Sequence, residues 1–335
     1  MSRKFFVKDT DYATEDTAGV VKVGSGLKVD NNGKLNVTGG TPYIYLTSED
    51  YVALDNFETD VLYWVINTDG THGIIKNNVC VEGTFGPIIT TWKQIQGAVR
   101  KGFIQNYYSV GNQLSVNYNG SAVMFDIVAF DVATPADSNY THSMTLISHD
   151  CLESLMYDNR EPSNSNSDRR SYGNNRYSYS NIRKWLNSSE SAGNWWTAQH
   201  SADAAPDYAD TKAGFMSYFD NDFLSVIGKT KIRTAKNTAT DGGGYEDLSD
   251  EYFYLPSTTE IGLGNENSIA EGTKFPYFNS DARRIKKYSG GAKYWWPRTP
   301  ISGNTYDVRC VDYSGRLNFY YAYNSLGIAP ACNII

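Results

Sequence analysis

The chain has 335 residues, with 30 Lys and Arg against 37 Asp and Glu and a formal charge of −7. That length leaves room for a sizeable core and for two or three domains of roughly 100 to 200 residues each. No Lys/Arg block supplies the electrostatic footprint that a phosphate backbone requires, which argues against nucleic acid as a partner. Near the first residue the only apolar run is Phe5-Phe6-Val7, short of the roughly 7 to 15 residues of a signal-peptide core. Nothing elsewhere approaches the ~18 apolar residues that span a bilayer. The expectation is a soluble chain with no membrane insertion, exported only by another route. Cys80, Cys151, Cys310 and Cys332 are scattered and lack the CxxC spacing of zinc or redox sites, leaving at most one Cys310–Cys332 bridge open in an oxidising setting. The chain has 26 Tyr beside 14 Phe, more phenol than a core needs when each buried hydroxyl must find a partner. Many tyrosines are therefore expected at the surface.

In chain order, residues 1–40 carry apolar pairs at a period of two: Val21 and Val23, Leu27 and Val29, Leu35 and Val37, separated by Gly24-Ser25-Gly26 and Asp30-Asn31-Asn32-Gly33. This predicts short strands with tight turns. Such a segment buries too little apolar area to fold alone, so intertwining with copies of itself or docking on a larger assembly is expected. Residues 41–90 read as a small β-domain. Within it, Tyr43-Ile44-Tyr45-Leu46 forms one strand, and Val61 to Ile66 a buried strand leading through Asn67-Thr68-Asp69-Gly70 into a hairpin.

Thr91 opens the third unit, residues 91–335, with a Thr91/Gln94 capping-box pattern ahead of Trp92, Ile95 and Val99. Ala122 to Phe130 is apolar at both alternating sets, which predicts a central strand buried on both faces. Asp150 is expected to cap a helix from Cys151 to Tyr157, and Ser180 one containing Ile182, Trp185 and Leu186. Polar stretches from Glu161 to Asn175 and from Lys236 to Asp250 read as loops, so an α+β domain is expected rather than a wound α/β sheet.

From Asn304 to Ser325, five of the 22 residues are Tyr (306, 313, 320, 321, 323), beside Asn304, Asn318, Asn324, Ser314 and Ser325. Two short strands with a Ser314-Gly315 turn are predicted, with Val308, Cys310, Leu317 and Phe319 facing inward. Tyr supplies large rigid contact area, while Ser, Asn and Gly adapt their hydrogen bonds, as in a paratope. With Arg309 and Arg316 as charged anchors, such a face suits a protein or a glycan; an ordinary exposed hairpin is the plainer alternative.

Several blocks in register carry a resemblance. They are Asn175 to Asn187 (NRYSYSNIRKWLN); Phe253-Tyr254-Leu255-Pro256-Ser257 with Glu260; Glu271-Gly272 with Phe275 and Phe278; and Tyr294 to Pro300 (YWWPRTP) leading to Gly315 and Gly327 to Cys332. In this order, over roughly Thr91 to Ile335, they resemble a C-type-lectin-fold domain of gut bacteria and phages. In particular they are similar to the variable proteins of diversity-generating retroelements. The resemblance implies a fixed scaffold whose codons near the C-terminus, here about 296–325, are rewritten by adenine-directed mutagenesis. The implied ligand-binding residues are Asn304, Tyr306, Asp307, Arg309, Tyr313, Ser314, Arg316, Asn318, Tyr320, Tyr321, Tyr323, Asn324 and Ser325. Tyr, Ser and Asp each lie one adenine change from an Asn codon. Pro297, where the pattern more often has Leu, is a further varied position or a private departure. Residues 1–40 similarly resemble the linker segments of phage tail fibres. That implies a homotrimer on a virion tail, joined to other tail proteins, with lectin-like heads that bind a host-cell surface protein or glycan. Linked heads gain avidity of roughly 10² to 10⁴. The alternative is a bacterial surface or secreted adhesin with the same face, and a purely structural virion protein is a third reading.

An enzyme is not expected. The formylglycine-generating oxidases share the lectin-like fold but carry closely spaced active-site cysteines, whereas Cys310 and Cys332 stand 22 positions apart. His72, His142, His149 and His200 read as surface or packed residues, and no GxSxG elbow is present. Asp241 to Gly244 with Glu246 lack the ligand spacing of a calcium loop, so a solvated loop is expected, with a structural cation left open. Of the Trp195-Trp196 and Trp295-Trp296 pairs, one ring each is expected in the core and the other beneath a loop. Neither catalytic residues, nor a cofactor, nor a metal follow from the sequence.

Overall fold

The computed structural model describes residues 27–29, 35–37, 43–54, 58 and 61–335, and the chain divides into two compact units, Met1–Gly102 and Phe103–Ile335. Most of the expected trimerisation segment, including Val21 and Val23, lies outside the described residues. Two of its strands, β1 (Leu27–Val29) and β2 (Leu35–Val37), pair antiparallel.

The first unit continues with β3 (Tyr43–Thr47), α1 (Ser48–Ala53), β4 (Leu62–Ile66), β5 (His72–Lys76), β6 (Val79–Gly83) and α2 (Trp92–Arg100). Strands β1 to β6 form one sheet in chain order. β3 and β4 run parallel across α1, and β4 turns into β5 at Asn67 to Gly70, where the Gly70 N–H donates to Asn67 O at 2.9 Å. Tyr51, Val61, Tyr63, Val65 and Ile75 make the core. α2 carries the full Thr91/Gln94 capping box, as its spacing indicates. It does not open the second unit, however, because it packs against α1 within the first. A Cβ on Gly97 would sit 1.6 Å from the Val52 carbonyl oxygen, and Lys101 Nζ donates to Val52 O and Leu54 O at 3.0 and 2.6 Å. The boundary expected at Thr91 therefore falls between Gly102 and Phe103.

The second unit is mixed α+β, mostly sheet with few and short helices. Its elements are β7 (Gln113–Tyr118), β8 (Ser121–Phe130), β9 (Thr134–Pro135), β10 (Met144–Ser148), β11 (Glu153–Met156), α3 (Ser167–Tyr172), α4 (Asn181–Leu186), α5 (Asn221–Leu224), β12 (Thr230–Ala235), β13 (Tyr245–Glu251), β14 (Phe253–Tyr254), β15 (Lys286–Tyr288), β16 (Gly291–Lys293), β17 (Asp307–Val311), β18 (Leu317–Tyr321), β19 (Ser325–Ile328) and β20 (Ala331–Ile334). The central sheet runs β14-β20-β10-β8-β7, and β8 is interior and buried from Phe125 to Ala129. Phe215, Phe219, Phe223 and Phe253 pack edge-on and stacked beneath it. Ser180 caps α4 by accepting the Arg183 N–H at 3.3 Å.

Three local expectations are corrected. Residues 151–157 contain strand β11 rather than a helix, because they pair antiparallel with β19 from Glu153↔Ile328 to Met156↔Ser325, and Asp150 Oδ1 instead accepts the Lys287 N–H at 2.9 Å. The stretch 161–175 holds α3, capped by Asn166, and 236–250 runs into β13 on β12.

The Val52–Gly97 approach gives a direct test. Gly97→Ala forces backbone against backbone, so the first unit should lose more than about 1 kcal/mol. Gly86→Ala, with open space around its Cβ position, should leave the thermal unfolding midpoint unchanged.

Candidate functional site

Chain segment 295–301 holds the second unit's outer sheet together. Trp295 exchanges N–H···O bonds with Val311 at 3.1 and 3.0 Å and bridges on its other side to Gly327. Trp295 and Trp296 are both fully buried, their indole N–H groups donating to Arg284 O and Leu155 O at 2.8 and 3.1 Å. This differs from the expected division into one core ring and one loop ring. Of the other pair, Trp195 is buried, and Trp196 is half-buried beneath Lys184 of α4. Pro297 is buried, so a varied position there would not reach the surface.

Next to Pro297, Arg298 is fully buried. Its guanidinium donates to Glu260 Oε2 and Oε1 at 2.7 and 2.8 Å, to Glu271 O at 2.6 Å, to Leu255 O at 2.9 Å and to Arg233 O at 3.0 Å. Burial opposes the charge, yet the carboxylates of Glu260 and Glu271 hold the Arg298 pKa above its ordinary value. Glu271 is buried as well, and desolvation raises its pKa against the pull of Arg298. Its carboxylate accepts from Thr299 Oγ1 and from the Ala235 N–H. The Arg298 carbonyl takes the Tyr157 hydroxyl at 2.9 Å, and Thr299 O takes the Arg309 N–H at 2.9 Å. Strand β17 is thereby fixed through main-chain bonds to a segment that cannot shift without stranding buried charge.

On this frame β17 and β18 form a hairpin with the register Asp307↔Tyr321, Val308↔Tyr320, Arg309↔Phe319, Cys310↔Asn318 and Val311↔Leu317. Facing partners share a side of the sheet, so Val308 and Cys310 face with Tyr320 and Asn318, while Leu317 and Phe319 lie on the opposite side. The expected inward set is therefore split. Val308 and Cys310 are buried, but Leu317 and Phe319 are 37% and 50% exposed. The turn is set by Gly315, at φ 80°, where a Cβ would meet the Asp281 carbonyl oxygen at 2.0 Å. Only glycine fits there.

Of the thirteen candidate residues, Tyr313, Ser314, Arg316, Tyr320, Tyr321 and Ser325 are exposed. Tyr306, Arg309, Asn318, Tyr323, Asn324 and Asn304 are half-buried, and Asp307 is buried. Asn304 and Asp307 turn out to hold the loop rather than present a surface. Asn304 Oδ1 accepts the N–H groups of Tyr306 and Asp307 at 3.1 and 2.8 Å, and its amide donates to Asp307 Oδ2 at 2.8 Å. Burial raises the Asp307 pKa, against the Asn304 amide and Arg309. Arg309 is not a free anchor, since its guanidinium pairs with Glu266 Oε2 at 2.6 to 2.7 Å. Arg316 is held more loosely, 3.6 Å from Asp281.

Two tyrosine clusters flank the hairpin. Tyr294 meets Tyr313 and Tyr320 edge-on, with centroids 4.4 and 5.4 Å apart. Beyond the other end, Tyr172 meets Tyr321 and Tyr306 at 4.4 and 5.0 Å, and Arg160 lies 3.8 Å over the Tyr323 ring. Tyr172, Tyr294, Arg160, Leu317 and Phe319 thus belong to the surface, although the sequence reading did not include them. Tyr172 falls in a polar stretch, and the chain-wide excess of tyrosine over phenylalanine was the one available signal.

The other groups weighed for chemistry have structural partners. Asp241 is clasped by Arg169 at 2.8 and 2.9 Å and Glu246 by Arg176 at 2.6 and 3.1 Å, so arginines stand where a structural cation would. His149 Nδ1 sits 3.0 Å from buried Asp126, and His72 and His200 stack on Trp64 and Tyr179. All four cysteines are free thiols, Cys310 and Cys332 included, and burial pushes the Cys151 thiol up to about 12.

Replacing Arg298 tests the frame. Arg298→Met leaves Glu260 and Glu271 buried without their counter-charge, and denaturant unfolding should show a loss of about 3–5 kcal/mol. Arg316→Met, at the exposed pair, should stay within about 0.5 kcal/mol.

Residues 142–335 match the model of a family described as a domain of unknown function, DUF6273. No curated protein matches, and no solved structure does.

Proposed function

This chain belongs to DUF6273, and on that premise we propose that its hairpin surface makes it an attachment protein: a phage receptor-binding protein whose second unit is a C-type-lectin-like domain of the diversity-generating-retroelement type. The observation that carries this reading is the separation between a buried ionic frame and an exposed set of polar aromatics on one hairpin. Tyr313, Tyr320 and Tyr321 are 58%, 41% and 41% exposed, and Tyr320 and Tyr321 lie on β18 beside β17, which is buried at four of its five residues. An exposed tyrosine changes little in the core when it is replaced, so such a position tolerates exchange while the scaffold persists. Tyrosine also offers broad contact area with a polar tip, at the cost of ordering two torsions.

The protein binds and does not transform its ligand, which is a protein or glycan on the host surface. Homotrimeric display on a tail, with the N-terminal residues joined to other tail proteins, follows from the resemblance of residues 1–40 to tail-fibre linkers. Three heads per fibre supply the avidity that modest single sites lack.

The test uses the labelled full-length chain on a panel of gut bacterial strains. Wild type should bind at least one strain. Tyr320→Ala/Tyr321→Ala should lose binding on the order of a thousandfold, as two hot-spot tyrosines of about 2 kcal/mol each would require, with its unfolding midpoint unchanged. Equal binding by the double variant, or no strain bound, would contradict the reading.

A further inference from the structure

β18 is the outermost strand of its sheet: β17 occupies one edge, and no element among the described residues pairs with the other. The groups that face this open edge follow from β17. The Arg309 N–H donates to Thr299 O at 2.9 Å and the Val311 N–H to Trp295 O at 3.0 Å, so both peptides point away from β18. Antiparallel partners alternate between bonded and non-bonded pairs. Leu317 and Phe319, opposite Val311 and Arg309, therefore also turn their peptide groups outward, while Cys310–Asn318 and Val308–Tyr320 carry the ladder. Tyr321 follows the same alternation. Its carbonyl accepts the Asn324 N–H at 2.9 Å, and the Phe319 N–H is held by Asn318 Oδ1 at 2.8 Å. The Leu317 N–H and the carbonyls of Leu317 and Phe319 have no such partner among the described residues. They lie at the two-residue spacing of a strand.

Exposed edges are ordinarily blunted by charge, proline or a bulge. β13, an edge of the three-stranded sheet, follows that rule with Glu246, Asp247, Asp250 and Glu251. β18 reads Leu-Asn-Phe-Tyr-Tyr, with no charge, no proline and an unbroken register. Leu317, Phe319 and Tyr321 lie exposed on one of its faces and Tyr320 on the other. An unblunted edge at the centre of the candidate surface fits a partner that brings its own alternating amides, which an extended polypeptide does and a glycan does not.

We propose that β18 receives an extended, uncharged segment of a host-surface protein as an added strand. This deepens the attachment reading and rests on it. Main-chain bonds to Leu317 and Phe319 supply affinity whatever side chains the hairpin carries, and the exposed rings on either face select alternate residues of the incoming strand. Exchange of tyrosines then retunes specificity without dismantling the docking mode.

The experiment separates backbone from side chain on a strain that binds wild type, using the full-length protein. Leu317→Ala removes the side chain but keeps the outward N–H. Leu317→Pro removes the N–H as well and leaves the β17 ladder intact, since its donor faces the open edge. Leu317→Pro should bind about tenfold more weakly than Leu317→Ala, and protease-shaved cells should no longer bind wild type. If Leu317→Pro fails to fold by its unfolding midpoint, Phe319→Pro against Phe319→Ala makes the comparison on an Asn318→Ala background, where the Phe319 N–H is released from the Asn318 side chain. Equal binding by the proline and alanine variants would overturn strand addition, and so would undiminished binding to shaved cells. In either case the loss seen in the Tyr320/Tyr321 variant would leave attachment itself standing.

Discussion

The second unit depends on one buried charge. Arg298 is removed from water and repaid by two carboxylate oxygens of Glu260 and three carbonyl oxygens from three separate segments. A guanidinium in that position tolerates little displacement, because every lost bond leaves a desolvated group unmatched. The arrangement ties together 233, 255, 260, 271 and 298, alongside the Arg298 N–H bond to Pro256 O at 3.0 Å and the Ser257 Oγ bond to Glu271 O at 2.9 Å. The neighbouring Thr299 and Trp295 then pass that rigidity to β17 through main-chain hydrogen bonds. A hairpin held in this way keeps its shape independently of what its outward side chains are.

That independence gives the surface its functional reading. β17 is buried at Asp307, Val308, Cys310 and Val311, whereas β18 has four of five residues exposed. One strand serves the core and its partner serves the solvent. The turn between them is fixed by the Gly315–Asp281 approach and by Arg284 Nε, which donates to Gly315 O at 2.9 Å. Tyr172 and Tyr294 widen the surface beyond the hairpin and come from segments remote in sequence. The face is therefore a tertiary construction, with the exposed side chains of β18 at its centre and contributions from other segments at its margins.

What the sequence disclosed depended on how local each signal was. The Thr91/Gln94 box and the Asn67–Gly70 turn are complete within a few residues, and both stand as read. Asp150 followed by Leu152, Leu155 and Met156 has the same local form as a capped helix. Pairing with β19, about 170 positions away, decides the matter in favour of a strand. In the hairpin, alternation correctly places Leu317 and Phe319 on a common side, but it cannot say which side is covered. A register read one residue out exchanges the two faces. Asn304 and Asp307 illustrate a different limit, since the residue types that adapt hydrogen bonds in a binding loop are also those that cap one. Only the bonds to the Tyr306 and Asp307 N–H groups distinguish the roles.

The central claim is that folding and recognition are carried by separate residues of the same hairpin. The most direct measurement is a library randomised at 313, 314, 316, 318, 320 and 321, scored variant by variant for protease resistance and for binding to a recognised strain. The account predicts that most variants remain as resistant as wild type while few bind. Loss of resistance across the library, in step with loss of binding, would show that these side chains hold the fold and would contradict it.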